Sequence, residues 1–288
     1  MAEVRIDPLG GQRVIVGDGA PPRDVFAAAG ERPTNGGLSE PRFAAVLDPA
    51  SPEPEPTAYP DLFWAGAAAG THELIDGGDA VRSLGELSPE RLETVFESWR
   101  SRMRAHADAA CLHLFADESV ATRATAQLLS LPFVPALIAR ERERFRGYAT
   151  RTMGGNLLGD LLQQEVRLRS RLVAVDSETV LLSAYAARVP YQLMVVPRTP
   201  RMRFEDDGPS GEELLAGALA RLARRLDGAE VELWVRTAPQ GAEHFCWRID
   251  IAPQLPSPGG GLEHGTGVAV NPVAPELAAA ELRDIQGP

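Results

Sequence analysis

The clearest periodic pattern along the chain predicts an amphipathic helix over residues 88–107. Apolar side chains recur there at three- and four-residue spacing and form one face of the helix. They are Leu92, Val95, Phe96, Trp99 and Met103. Pro89 suits the first turn and Glu90 suits the positive amino end of a helix. We expect this helix to pack against the core and to carry no chemistry.

Weaker patterns predict further helices and a set of short strands. The helices are expected over residues 136–148, 156–172 and 210–226, the last opened by a capping box at Ser210. Short stretches of alternating or continuous apolar residues, separated by turn residues, predict strands. These cover residues 3–5, 13–16, 173–175, 179–185, 191–196, 231–236 and 245–251.

The stretch from Cys111 to Pro135 combines a predicted strand, a polar turn and an apolar run. Between the turn and the run lies the sequence RATAQ, in which Arg123, Thr125 and Gln127 are spaced two apart. If this segment is extended, all three side chains point to one face. A cation, a hydroxyl and an amide on one face are suited to holding a phosphate group.

Composition narrows the class of protein. The 288 residues are 44% hydrophobic and 24% charged, as in a globular protein, and the net charge of -11 argues against nucleic-acid binding. All 29 basic residues are arginine, which excludes a Schiff-base or phosphate-loop lysine. The two cysteines do not form a disulfide framework. With no signal peptide or long apolar run, we expect a cytoplasmic protein with no membrane partner.

Several ordered motifs point to one known family. The chain opens with R-x-D-P-L-x-G-x-x-V-I and later carries GTHELI, the RATAQ stretch ending in PFVP, RVPYQLMVVP and GGGLEHGTG. In this order they resemble galactose-1-phosphate uridylyltransferase of the histidine-triad superfamily. The resemblance implies an α+β fold made of two histidine-triad-like halves, residues 1–135 and 136–288. Each half would be an antiparallel sheet with packed helices, and the resemblance also implies a homodimer.

The resemblance also assigns the catalytic candidates. Arg123 and Thr125 fall on the two active-site histidines of the family, and Gln127 falls on its glutamine. The second of those histidines is the nucleophile of the family. A threonine hydroxyl needs an adjacent base, which Ala124 and Ala126 cannot supply. His113 could face the same site as an acid or base, or it could be an ordinary strand histidine.

A second group of residues aligns with substrate-contacting segments of the family. It consists of Arg188, Tyr191, Gly261, Glu263, Gly265, Thr266 and Asn271. In the family the glycine-rich loop lies beside the sugar, and Glu263 could accept hydrogen bonds from sugar hydroxyls. The alternatives are that Arg188 and Tyr191 anchor a turn and that the glycines form a structural loop.

The metal ligands of the family are replaced in this sequence. The cysteines of its zinc site have no counterpart, so we expect no metal and no cofactor. Glu141 falls near a glutamate of the family that binds a second metal, and His244 and Cys246 could complete such a site. The alternatives are a solvated charged helix face and a buried structural cysteine.

Three functional hypotheses remain open. The first is a repurposed enzyme that acts on a nucleotide, a sugar phosphate or a similar polar metabolite without the histidine nucleophile. The second is a pseudoenzyme that binds a ligand or partner without turnover. The third is residual nucleotidyl transfer by direct displacement.

Overall fold

The computed structural model describes residues 2–17, 71–76, 84–117, 125–208, 210–255 and 258–285. Arg123 lies outside these ranges, and so do the residues before it that are predicted to form a polar turn. The strands are β1 Glu3–Ile6, β2 Arg13–Val16, β3 Thr71–Asp76, β4 Cys111–Asp117, β5 Thr125–Leu131, β6 Leu172–Val175, β7 Thr179–Ser183, β8 Leu193–Pro197, β9 Val231–Arg236, β10 Arg248–Pro253 and β11 Ala269–Asn271. The helices are α1 Pro89–Ala105, α2 Ala136–Thr152, α3 Leu157–Leu168, α4 Glu212–Arg225, α5 Gly260–Thr266 and α6 Pro275–Asp284.

A single antiparallel sheet joins the two predicted halves of the chain. Its strand order is β3-β5-β4-β9-β10-β8-β7-β6. The junction is the β4–β9 pair, in which Phe115 lies opposite Trp234. A smaller sheet has the order β1-β2-β11, with β2 and β11 parallel. The division at residue 135 falls between β5 and α2 and stays a prediction.

The principal hydrophobic core lies on one face of the large sheet, under α1, α4 and α6. Alternate strand residues, such as Leu114, Leu128 and Leu233, are fully buried on this face. From α1, the Phe96 and Trp99 rings stack at 5.0 Å between centroids. The α1 face predicted from sequence is therefore confirmed as core.

A second apolar cluster lies on the opposite face, where α2 and α3 pack on β7 and β8. Phe145 and Leu158 contribute from the helices, and Leu182 and Val196 from the strands. Alternate residues of β4, β5, β9 and β10 also emerge on this face, and several are polar. This face therefore positions the candidate site.

The structure confirms the α+β class with an antiparallel sheet and packed helices, and it corrects three local predictions. The helix predicted over residues 156–172 is α3, which ends at Leu168, four residues earlier than expected. The cap of α4 is Gly211 in a left-handed conformation, not Ser210. Strand β10 begins at Arg248, three residues later than predicted. In the ranges given above, no helix has the length and apolar character needed to cross a membrane.

Candidate functional site

Strand β5 places Gln127 on the polar face of the sheet. Ala126 and Leu128 are buried against the helices, so Gln127 between them projects to the other side, as the extended reading of this segment predicts. Gln127 lies opposite Phe115 of β4 and is half-buried. Thr125 is the first residue of β5.

His113 projects from β4 onto the same face. Its neighbours Leu112 and Leu114 are buried in the helix-side core, whereas the His113 ring stacks on Phe115 at 5.5 Å. Burial, together with the positive charge of Arg236, lowers the pKa of His113 to about 4. The imidazole is therefore neutral near pH 7, so it can exchange hydrogen bonds but cannot serve as a protonated acid.

Further across the sheet, a buried cluster of charges ties β9 and β10 to α2. Arg248 donates from Nη2 to Glu141 Oε1 at 3.0 Å and from Nε to Asp250 at 3.1 Å. Arg236 Nε lies 3.6 Å from Glu141 Oε2. Burial opposes ionisation of Glu141, but the charges of Arg248 and Arg236 outweigh it and hold the pKa of the carboxyl below its usual value.

The turn between β1 and β2 closes over this cluster. Asp7 accepts hydrogen bonds from the backbone N–H groups of Leu9 at 3.0 Å and Gly10 at 2.6 Å. Burial raises the pKa of Asp7 above its ordinary value, although these two bonds oppose the shift. The turn is fixed to α2 because Arg144 Nε donates to the carbonyl of Pro8 at 2.8 Å.

Beneath the turn lies a cavity of about 80 Å³ bounded by the sheet, α2 and the segment 184–192. Its polar lining consists of Asp7, Gln12, Glu141, Arg188, Gln192, Trp234, Arg236, Arg248 and Asp250. Small-molecule pockets usually measure at least about 300 Å³. The cavity is therefore sized for one part of a ligand, not for a whole nucleotide.

Two of the predicted substrate-binding residues meet at the edge of this cavity. Arg188 Nη2 donates to Glu263 Oε1 at 2.9 Å, and the Arg188 side chain is 40% exposed. The guanidinium also reaches Gln12 Oε1 at 3.4 Å. Residues more than seventy positions apart thus form a partly exposed ion pair beside the polar face.

Tyr191 and Asn271 are instead engaged inside the protein. Tyr191 is 1% exposed, and its hydroxyl donates to Glu281 at 2.6 Å. Asn271 is also 1% exposed and donates to the carbonyls of Ala187 and Val189. Both side chains support the turn that carries Arg188, which is the anchoring alternative left open by the sequence.

The predicted glycine-rich loop is the short helix α5. Gly261, Gly265 and Thr266 are exposed, and the Thr266 hydroxyl donates to the carbonyl of Leu262. The helix is capped by Gly267, whose φ of 73° lies in the left-handed region that favours glycine. Of this segment, Glu263 is the residue that the structure brings to the cavity edge through Arg188.

The proposed group of Glu141, His244 and Cys246 does not assemble as a metal site. Glu141 is held by two arginines, and Cys246 is fully buried, with its pKa raised to about 12 chiefly by burial. Among the described residues, no cluster of three or more His, Cys, Asp or Glu side chains is placed to hold a metal ion.

Sequence reasoning did not identify Trp234 and Arg236. Both project from β9 to the polar face, because Leu233 and Val235 are buried on the helix side. The alternation of polar and apolar residues in VELWVR carries this signal. It shows which face they occupy, but only the sheet order brings them beside His113 and Arg248.

Comparison with known proteins supports the resemblance. No protein-family model matches the chain. It is 23% identical over 219 residues to ADP-glucose phosphorylase of Arabidopsis thaliana, across 70% of this chain and 60% of the relative. It is 26% identical over 192 residues to galactose-1-phosphate uridylyltransferase of Haemophilus influenzae, across 64% of this chain and 54% of that protein. The chain thus spans less than two thirds of the length of either relative.

Solved structures match over almost the whole chain. An ADP-glucose phosphorylase from Arabidopsis thaliana, solved with bound ADP-glucose, has a TM-score of 0.73 at 19% identity and covers 99% of this chain and 100% of its own. A uridylyltransferase structure has a TM-score of 0.74 at 19% identity, with coverage of 99% and 98%. At these identities the likeness shows the fold. The resemblance to galactose-1-phosphate uridylyltransferase that the motifs predict is confirmed.

Proposed function

We propose that this chain is an enzyme that binds a nucleotide sugar or a sugar phosphate and acts on it without a covalent histidine intermediate. The observation that carries this proposal is the polar sheet face. Gln127, His113, Arg236 and Arg248 project to this face from four neighbouring strands, and the two arginines line the cavity. The relatives by sequence, named as a sugar-nucleotide phosphorylase and a uridylyltransferase, support the ligand class.

The residues on this face have separable roles in the proposal. Gln127 and Arg123 orient the ligand, with Arg123 supplying the cation expected from its place before β5. His113, neutral because its pKa is about 4, exchanges hydrogen bonds with the ligand. Glu263, held 2.9 Å from Arg188, accepts hydrogen bonds from sugar hydroxyls.

Thr125 occupies the position that corresponds to the nucleophile, and its sequence neighbours are both alanine. Because a threonine hydroxyl needs a base to attack phosphorus, we propose that no covalent enzyme intermediate forms. Residual nucleotidyl transfer would then proceed by direct displacement. The acceptor oxygen forms its bond to phosphorus as the bond to the leaving phosphate oxygen breaks.

A non-catalytic binding protein is the second candidate function. One observation favours it: Tyr191 and Asn271 are committed to internal hydrogen bonds. A binding protein would keep the cavity and the Arg188–Glu263 pair but show no turnover.

The deciding experiment is ligand-dependent thermal stabilisation followed by a turnover assay. ADP-glucose, UDP-glucose, galactose 1-phosphate and glucose 1-phosphate are tested as ligands. A ligand at about 100 times its dissociation constant stabilises the fold by roughly 2.7 kcal/mol. The ligands that bind are then assayed for product with inorganic phosphate or a sugar phosphate as acceptor.

Each result separates the candidates. Binding with turnover, and no radiolabel retained on denatured protein after incubation with a labelled nucleotide sugar, supports the proposed enzyme. Binding without turnover supports the non-catalytic alternative, and retained label contradicts the absence of a covalent intermediate. No stabilisation by any ligand overturns both candidates. The homodimer is a separate proposal, which light scattering coupled to size-exclusion chromatography tests.

A further inference from the structure

Two residues that line the cavity carry buried hydrogen-bond donors without an acceptor among the described residues. They are Trp234 Nε1 and Arg236 Nε, which project from β9 two residues apart and therefore on the same side. The Arg236 side chain is only 9% exposed, and its Nε lies 3.6 Å from Glu141, beyond hydrogen-bond distance. Buried N–H groups are rarely left unpaired in folded proteins.

The carboxylates around the same cavity are already satisfied. Glu141 accepts from two nitrogens of Arg248, at 3.0 and 3.4 Å. Asp250 accepts from Arg248 Nε at 3.1 Å, and Asp7 accepts from two backbone N–H groups. The lining groups that lack a hydrogen-bond partner are therefore donors, so a ligand in the cavity would have to supply an acceptor.

The charges of the lining favour an uncharged acceptor. The three arginines Arg188, Arg236 and Arg248 face the three carboxylates Asp7, Glu141 and Asp250. Their formal charges cancel, so a phosphate brought into this cavity would lack a compensating cation. A hydroxyl oxygen can accept from a buried N–H and also donate to a spare lone pair of a carboxylate, which matches both sides of the lining.

We propose that this cavity is the subsite for the uncharged, hydroxyl-bearing edge of a sugar ligand. Trp234 Nε1 and Arg236 Nε donate to sugar oxygens and thereby select the sugar, while the phosphate of the same ligand lies outside the cavity. The volume of about 80 Å³ admits one edge of a hexose and not the whole ring. The identity of the full ligand rests on the proposed function, but the subsite can be tested with free sugars.

The experiment follows the indole N–H resonances of the 15N-labelled full chain during titration. The probes are glucose, galactose and inorganic phosphate, used separately. The Trp234→Phe variant identifies the Trp234 resonance by its loss. Trp99→Phe is the matched control, because Trp99 Nε1 is also a buried donor without an acceptor but lies in the helix-side core, 1% exposed.

The expected result is that a free hexose shifts the Trp234 resonance and leaves that of Trp99 in place, while phosphate shifts neither. A shift with phosphate alone overturns the proposal in favour of an oxyanion site, and no shift with either sugar also overturns it. In a second arm, Trp234→Phe should weaken binding of glucose 1-phosphate about threefold to tenfold, the usual effect of one lost hydrogen bond, and Trp99→Phe should not.

The two arms separate this subsite from the function proposed above. If sugar phosphates and nucleotide sugars fail to bind but a free hexose still shifts Trp234, the subsite stands and the proposed enzyme does not. If they bind with equal affinity to the wild type and Trp234→Phe, and free hexoses leave Trp234 unmoved, the proposed function stands and the subsite does not.

Discussion

Arg248 and Glu141 form a two-point contact between β10 and α2, with nitrogen–oxygen distances of 3.0 and 3.4 Å. Glu141 is 3% exposed and Arg248 is 5% exposed. This pair crosses the interface between the sheet and a helix at the floor of the cavity. It therefore couples the stability of the fold to the geometry of the candidate site.

Glu141→Gln should strongly destabilise the protein. The substitution leaves Arg248 and Arg236 buried with less compensating charge, and removing one partner of a buried pair costs about 3–5 kcal/mol. Urea unfolding followed by circular dichroism measures the loss. The matched control is Glu143→Gln on the same helix, where the side chain is 57% exposed and its ion pairs span 3.7 and 3.8 Å. That control should lower the free energy of unfolding by less than about 1 kcal/mol. Equal losses in the two variants would show that the buried Arg248–Glu141 pair does not stabilise the fold.

His113 should make the protein less stable as the pH falls from 7.5 to 4.5. Its pKa is about 4 in the folded chain against 6.5 as the ordinary value, so the unfolded chain takes up a proton first. Because the pKa is depressed in the folded chain, the contribution of neutral His113 to the free energy of unfolding is fully present above about pH 6.5. This contribution is lost progressively as the pH falls to about 4. The shift of this pKa from 6.5 to about 4 corresponds to about 3 kcal/mol in the free energy of unfolding.

His113→Gln should remove this part of the acid sensitivity. The measurement is the free energy of unfolding of the wild type and the variant across the same pH range. His264→Gln is the control, because His264 is exposed at the end of α5. Parallel pH profiles for the wild type and His113→Gln would contradict the buried, neutral state of this histidine.

Tyr191→Phe should lower stability without changing ligand affinity. The Tyr191 hydroxyl donates to Glu281 at 2.6 Å, and a hydrogen bond to a charged group contributes roughly 1.5–3 kcal/mol. Denaturant unfolding and a ligand titration measure the two effects separately. Tyr185→Phe, at a position 41% exposed, is the control for stability. Weaker ligand binding by Tyr191→Phe at unchanged stability would restore Tyr191 as a contact residue.

The sequence predicts strand faces better than it predicts contacts between strands. The alternation around Gln127 gives its face correctly, and the spacing in α1 gives the core residues Phe96 and Trp99. These are local periodicities, which any extended or helical segment displays. The alternation does not reveal that β4 pairs with β9, and this pairing places Arg236 beside His113.

The candidate metal site shows the same limit, because sequence reasoning does not reveal contacts between distant elements. Glu141, His244 and Cys246 are ligand types, but the sequence does not show that Arg248 reaches Glu141 across the interface. Tyr191 and Asn271 likewise align with substrate-contacting segments while their hydrogen bonds point inward. Residue type and motif register predict the backbone position, whereas the partner of a polar side chain depends on long-range packing.

Arg188→Gln should weaken ligand binding much more than it weakens the fold. The Arg188 side chain is 40% exposed and pairs with Glu263 at 2.9 Å, and exposed ion pairs contribute at most about 1 kcal/mol to stability. A charge-assisted hydrogen bond to a ligand is stronger, so we expect the dissociation constant of the best nucleotide sugar to rise about tenfold. Calorimetric titration measures this change.

Arg198→Gln is the control, since Arg198 is exposed and donates to the carbonyls of Asp176 and Ser177. Equal affinity in Arg188→Gln and Arg198→Gln would place the ligand away from the Arg188–Glu263 pair and from the cavity edge that it forms.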